Sequence, residues 1–253
     1  MCMKMFAQTF TADPQTPIET ISLARQQGFQ GVEITCEYPR GPLDYSHEAV
    51  LQMVSFARKC EMPLQVHAPY HNVRLADINP RIREASVQSV KDGIDFATRV
   101  NAKMVTMHLG NVAKMLSDRF YTRVHEALLD SVKTLIDCAE VGNLVIAIEN
   151  VPSTKSPWEE AIGVKAEELA DIIKEVKAKN VGVTFDVGHA NTIGDPAEFA
   201  AKIAPYIVNI HLHDNDGRLD QTFNHRRRQH RFLKNPEHLQ KKRLLWAFSS
   251  GVL

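Results

Sequence analysis

Several features that would commit a chain to other protein classes are missing here. Four cysteines, Cys2, Cys36, Cys60 and Cys138, are scattered through 253 residues with no Cys-x-x-Cys pair. That spacing excludes a zinc ribbon, offers no disulfide framework and suits a reducing, cytoplasmic setting. No apolar run approaches bilayer-spanning length, and the opening Met-Cys-Met-Lys-Met-Phe-Ala is too short for a signal peptide, so no membrane partner is expected. No Gly-x-Gly-x-x-Gly follows the first apolar run, which argues against a dinucleotide fold. Net charge is also absent, with 30 basic and 30 acidic residues. That balance hides a break. Residues 222–253 hold eight Lys/Arg against the single acid Glu237, leaving 22 basic and 29 acidic residues in 1–221, a body of −7 and a tail of +7. A break of that size marks a separate segment, so two units are expected: 1–221 as the folded body and 222–253 as a basic tail.

What is present is a rhythm. Short apolar runs at 4–10, 31–35, 64–67, 103–108, 144–149, 181–186 and 207–213 alternate with helical patterns at 18–28, 48–60, 80–100, 119–139, 164–177 and 196–203. Seven strands alternating with six helices predict a parallel sheet, its strands buried between helices. Seven such units in one chain favour an α/β (β/α)8 TIM barrel over an open doubly wound sheet. The barrel is expected to be incomplete or irregular at the eighth unit, because the rhythm stops near residue 221.

Polar residues close the strands. The stretch 183–191, Val-Thr-Phe-Asp-Val-Gly-His-Ala-Asn, reads as a strand running out into a loop that releases Asp186 and His189 together. Such a pair can reach one divalent metal; the plainer alternative is that Asp186 caps the next helix and His189 packs. His67, His108, Glu149 and His211 end their own strands in the same way. In a barrel those ends converge on the face where active sites form. Five consecutive strands each ending in His, Glu or Asp is hard to obtain from packing alone. Imidazole content directs the choice of ion towards Zn or Mn rather than the all-oxygen shells of Mg or Ca. Glu33, Asp214 and Asp216 read as supporting or solvent-facing groups. His47, His71, His125 and His213 read as structural, with His71 the one best placed to approach a substrate.

Taken together, His67-Ala-Pro-Tyr, His108-Leu-Gly-Asn, Ile148-Glu149-Asn, Phe185-Asp186-Val-Gly-His189-Ala and Ile210-His211-Leu-His-Asp214 resemble the xylose isomerase-like TIM barrel superfamily over about residues 4–221. That superfamily includes sugar and sugar-phosphate isomerases and epimerases, and also the endonuclease IV family of apurinic-site nucleases (AP endonuclease family 2). In the epimerase branch the resemblance implies one divalent metal on Glu149, Asp186 and His211, with His189 touching substrate and Glu149 acting as the base. In the nuclease branch it implies three zinc ions on His67, His108, Glu149, Asp186, His189, His211 and Asp220. The family pattern then asks for Asp-x-His, a Pro-Leu-Gly-Glu-Gly-like loop and an eighth strand ending in Glu. This chain has Asp220-Gln-Thr222 followed by Phe-Asn-His-Arg-Arg-Arg, as a frameshift or a substituted tail would give. An eighth-strand carboxylate and its neighbouring His are therefore missing from the expected ligand set, and weakened activity is expected.

Three functions stay open at this point. The first is a metal-dependent sugar or sugar-phosphate isomerase/epimerase, in which a metal-chelated carbonyl and hydroxyl make the neighbouring C–H acidic for a carboxylate base. The second is a zinc-dependent apurinic-site phosphodiesterase acting on DNA, which the acidic body disfavours. The third is an inactive remnant or binding protein. An unclosed sheet edge also invites homo-oligomerisation.

Overall fold

The computed structural model describes residues 4–9, 16–153, 156–213 and 215–220. Cys2, Asp214, Thr222 and the whole of 222–253, including the apolar end at 244–253, lie outside the described residues.

In chain order the elements are β1 (Phe6–Gln8), α1 (Pro17–Gln26), β2 (Gly31–Thr35), α2 (His47–Lys59), β3 (Leu64–His67), α3 (Pro80–Arg99), β4 (Met104–Met107), β5 (Asn111–Ala113), α4 (Lys114–Arg119), α5 (Tyr121–Val141), β6 (Val145–Glu149), β7 (Glu159–Ala161), α6 (Ala166–Val176), β8 (Val181–Asp186), α7 (Val187–Asn191), α8 (Pro196–Ile203) and β9 (Ile207–His211). All seven expected strands and all six expected helices form. Three helices start on the same local signal, a capping side chain followed by proline at the first helical position: Thr16-Pro17, Asn79-Pro80 and Asp195-Pro196. The cap oxygen accepts an otherwise unpaired N–H, and proline occupies a position that needs no donor. At α1 the cap is reciprocal, since the Glu19 carboxylate accepts the Thr16 N–H at 2.7 Å.

The large sheet runs β1-β2-β3-β4-β6-β8-β9, with every neighbouring pair parallel. Its curvature can be read from side chains that meet across it. In a flat sheet β2 and β9, five spacings apart, would be separated by about 24 Å. Instead Glu33 Oε1 on β2 lies 2.9 Å from His211 Nε2 on β9. Thr106 on β4 and Thr184 on β8 share a hydroxyl hydrogen bond of 3.2 Å although β6 stands between them. The sheet is curled as in a TIM barrel, and among the described residues it stays open between β1 and β9.

The strands are not apolar throughout, and here the sequence expectation is corrected. They alternate. Val32, Ile34, Val66, Val105, Met107, Ile146, Ile148, Val183 and Phe185 join the buried apolar core. The alternate positions, Glu33, Gln65, Thr106, Thr184 and Asn209, are buried and polar. Thr106 hydrogen-bonds towards Glu33 and Thr184, and Asn209 donates to Thr184, so one polar layer crosses the barrel interior. Period-2 geometry assigns the two sets to opposite faces of the sheet.

Two further differences involve the loops. The expected loop after Asp186 is the short helix α7, and β5 pairs antiparallel with β7 in a ribbon beside the main sheet. The ribbon lies over the loop that follows β3. Gly110, at φ +84, brings the backbone so close that a Cβ there would sit 1.9 Å from the Val73 carbonyl oxygen. Only glycine fits, and Arg74 on the same loop pairs with Glu159 of β7.

Phe96 on α3 is fully buried and packs against Tyr45 with ring centroids 5.0 Å apart. Phe96→Ala is expected to cost about 3–5 kcal/mol of stability, as core aromatic truncations do. An unfolding free energy lowered by that amount in denaturant titration, with metal content unchanged, would be the supporting result.

Candidate metal centre

The period-2 register brings one inward-facing polar residue to the carboxyl end of each of five neighbouring strands. His67, Glu149, Asp186 and His211 are the last residues of β3, β6, β8 and β9, and His108 follows β4 by one residue. They converge on Glu149, which is 1% exposed. Its Oε2 lies 2.9 Å from His67 Nε2 and 3.1 Å from His108 Nε2. Its Oε1 lies 3.0 Å from His211 Nδ1 and 3.5 Å from His189 Nδ1. Burial raises the Glu149 pKa, but the His211 and His108 rings overrule it and hold the carboxyl well below its ordinary range.

A second group adjoins the first through Asp186. Its Oδ1 accepts the His189 N–H at 2.7 Å, the N-terminal cap of α7, and its Oδ2 lies 3.3 Å from His213 Nδ1. His213 Nε2 reaches Asp220 Oδ1 at 2.8 Å, and His189 Nε2 lies 3.3 Å from Asp220 Oδ2. The glycine of Asp-Val-Gly-His is required here, because a Cβ on Gly188 would lie 2.2 Å from the His213 ring. Burial opposes protonation of both imidazoles. Asp220 and Asp186, with Glu149 also acting on His189, nonetheless lift His189 to about 9 and His213 to about 10.

All seven residues singled out from sequence therefore meet in one connected cluster: His67, His108, Glu149, Asp186, His189, His211 and Asp220. Asp186 caps a helix, as the plainer reading had it, and also faces the cluster. Asp216 accepts the Arg218 N–H and is exposed, as expected. His125 pairs with Glu175 on the outer helices. Two residues were underrated. Glu33, taken as merely supporting, sits in the interior against His211, and burial is outweighed by the His211 ring so that its pKa is lowered. His213, taken as structural, belongs to the Asp186 group. The signal for both was the alternation itself. Glu33 occupies the inward register of β2, and His213 continues that of His211.

Three sets of side chains each offer ligand atoms within 4.8 Å of one another: His67, His108 and Glu149; Glu149, Asp186 and His211; Asp186, His189 and His213. Hydrogen bonding tests whether a cation fits. His67 Nδ1 donates to the Ala68 carbonyl at 2.8 Å, and His189 Nδ1 donates to the Asn150 carbonyl at 2.7 Å. A carbonyl only accepts, so the proton of each neutral ring is fixed on Nδ1, and the Nε2 lone pair points at a carboxylate. Two electron-rich atoms held that way need a positive charge between them, either a proton or a metal. Donation of the other ring N–H to a carbonyl is also the usual support of a metal-bound imidazole. On His211, Nε2 is buried with no aligned hydrogen-bond partner despite lying 2.9 Å from Glu33 Oε1. The donor set of imidazole and carboxylate fits a divalent ion such as zinc or manganese.

A curled parallel sheet with a histidine–carboxylate centre at its carboxyl end defines a TIM barrel built for chemistry on that face. The chain belongs to the xylose isomerase-like TIM barrel family, whose pattern it matches over residues 21–236. A D-tagatose 3-epimerase-like protein of known structure is 27% identical and superposes with a TM-score of 0.77 over 94% of this chain and 86% of its own. A putative xylose isomerase from Rhodospirillum rubrum superposes with a TM-score of 0.82 at 17% identity, covering 100% of this chain and 91% of its own. Uncharacterized protein MJ1311 of Methanocaldococcus jannaschii is 28% identical over 87% of this chain and 73% of its own length. Another solved structure of the same fold, named D-psicose 3-epimerase, superposes with a TM-score of 0.70 at 15% identity over 84% of this chain and 73% of its own.

The raised histidine pKa values set a pH dependence for the metal-free protein. A group whose pKa is higher folded than unfolded stabilises fully below its unfolded value, about 6.5 for His, and loses that contribution as pH climbs through the folded value. With His189 at about 9 and His213 at about 10, chelator-treated protein is expected to lose denaturant resistance steadily from pH 6.5 to 10. Protein supplied with zinc or manganese is expected to hold its midpoint over the same range, because metal affinity rises as the ligands deprotonate. Identical profiles with and without chelator would contradict the fit.

Proposed function

We propose that this chain is a divalent-metal-dependent sugar or sugar-phosphate isomerase/epimerase with its centre on Glu149, Asp186 and His211. The observation that carries the proposal is Glu149 itself, a buried carboxylate ringed by imidazoles whose protons are already committed to backbone carbonyls at two of four positions. A bound zinc or manganese ion would supply Lewis acidity to a substrate carbonyl and its adjacent hydroxyl. Glu149 takes the proton from the carbon beside that carbonyl and returns it, held in place by His67 and His108. His189 orients the substrate hydroxyl, and its proton is governed by Asp220 and the Asn150 carbonyl. Inversion at one carbon calls for a base on each face. The family's second carboxylate belongs to an eighth strand whose pattern the sequence after Gln221 does not carry, so the proposed activity is an impaired one.

The same proposal takes 1–221 as the barrel and 222–253 as a basic, atypical tail, although the family match runs past that boundary to residue 236. A cytoplasmic setting is supported by the free thiols of Cys36, Cys60 and Cys138. Among the described residues no helix is long and apolar enough to cross a membrane.

A second reading, an endonuclease IV-like zinc phosphodiesterase acting on apurinic DNA, is favoured by one observation. Three ligand groups are available where an epimerase centre uses one. Metal analysis after purification without chelator separates the two, with about one ion per chain expected for the isomerase and two or three for the nuclease. Asp186→Ala is expected to abolish metal binding in the isomerase and to lower the ion count in the nuclease, whose His67, His108 and Glu149 group lacks Asp186, and unchanged metal content in that variant would refute the assignment. Ketose epimerisation that survives His108→Ala is the result expected of the isomerase. Zinc-dependent incision of an apurinic-site duplex, lost in His108→Ala, would reverse the choice.

A further inference from the structure

Among the described residues three buried carboxylates, Glu33, Glu37 and Asp77, belong to none of the three ligand groups, and Glu37 is the one bonded to the loop beside the centre. Glu37 follows β2 by two residues, its side chain is 6% exposed, and its neighbours are backbone amides. Its Oε2 accepts the N–H of Tyr70 at 2.8 Å and of His71 at 2.9 Å, and its Oε1 accepts the N–H of Tyr38 at 3.1 Å. Three N–H donors on one carboxylate fix the backbone of the loop after β3 against the loop after β2. The anion needs no lysine or arginine, because charge-assisted bonds to amides replace its hydration.

What this backbone carries is a row of rings leading outward from the centre. Tyr70 is half-buried, with its ring centroid 5.1 Å from His67 and 4.9 Å from His108. His71 comes next, 4.4 Å from Tyr70, with 64% of its side chain exposed. Its Nδ1 lies 3.2 Å from Glu37 Oε2. A carboxylate beside Nδ1 attracts a proton to that nitrogen by charge, without an aligned hydrogen bond, and with the proton there Nε2 is an acceptor. The far end of the same loop is latched by the Gly110 contact and the Arg74–Glu159 pair. The loop is held at both ends, and its rings have one place to be.

We infer that Tyr70 and His71 form the wall that recognises the part of a polyol substrate remote from the metal, and that Glu37 is the positioning residue that sets it. The inference rests on the isomerase/epimerase proposal. Tyr70 offers an aromatic face to the carbon chain, and His71 Nε2 accepts a hydrogen bond from a distal hydroxyl. Interactions made equally to bound substrate and to transition state lower KM and leave kcat alone, which gives this wall a kinetic signature distinct from that of the metal centre.

The test uses the full chain loaded with manganese and a free ketohexose, D-fructose or D-tagatose, as probe. His71→Ala, at an exposed position, is expected to raise KM about tenfold with kcat within about threefold, and His71→Gln to restore part of the loss. Glu37→Gln is expected to give the same KM effect with unchanged metal content, and the double variant no more than either single one, since both act through one contact. An unchanged KM in His71→Ala, or a Glu37→Gln variant that loses metal or kcat instead of KM, would overturn the inference. Should the wild-type protein turn over no ketose, the isomerase proposal fails by itself. Nitrogen-15 imidazole spectra then decide the positioning role: His71 protonated on Nδ1 in the wild type and a mixture of tautomers in Glu37→Gln is expected, and an unaltered His71 spectrum would refute it.

Discussion

A carboxylate sealed inside a protein must be neutralised, and Glu149 sets the terms for everything around it. Leaving an ionised carboxyl unpaired in the interior costs several kcal/mol even after relaxation. Four imidazoles from four different elements answer that demand. Each can reach it only because the strands curl until their carboxyl ends face one point. The barrel's curvature and the charge balance of its centre are in this sense one constraint, met once by topology and once by side-chain chemistry.

Much of this was legible in the sequence, and the misses share a cause. The strand–helix rhythm gave the fold, because short β-branched runs and amphipathic stretches differ in period. The strand-end residues gave the centre, because a parallel barrel leaves its carboxyl ends nowhere else to go. Glu33 and His213 were underrated because they were weighed as single polar residues rather than as members of an inward register. Gly-Val-Glu-Ile-Thr, Met-Val-Thr-Met-His and Val-Gly-Val-Thr-Phe-Asp carry the same alternation once it is looked for. Glu37 was not legible at all. Its partners are backbone amides 33 and 34 residues away, and an N–H leaves no mark on a sequence. The β5–β7 ribbon was missed for a related reason. Three-residue strands are too short to show a period, and their pairing depends on tertiary context.

Asp186 illustrates how two expectations that look like alternatives need not compete. Its Oδ1 closes the first turn of α7 while Oδ2 faces His213. The cap fixes the side chain's rotation, and the fixed rotation aims the second oxygen. Local helix chemistry thus supplies the rigidity that a ligand position requires.

The polar centre stands on strands, whereas the ring wall stands on loops fastened by a glycine contact and the Arg74–Glu159 pair. The two parts therefore have separate mechanical foundations. Mutations that accumulate in the ribbon or in the loop after β3 can reshape what the mouth admits without shifting any atom that faces Glu149. Selection can explore new substrates on one foundation while purifying the other, so descendants of such a chain can diverge in diet long before they diverge in chemistry.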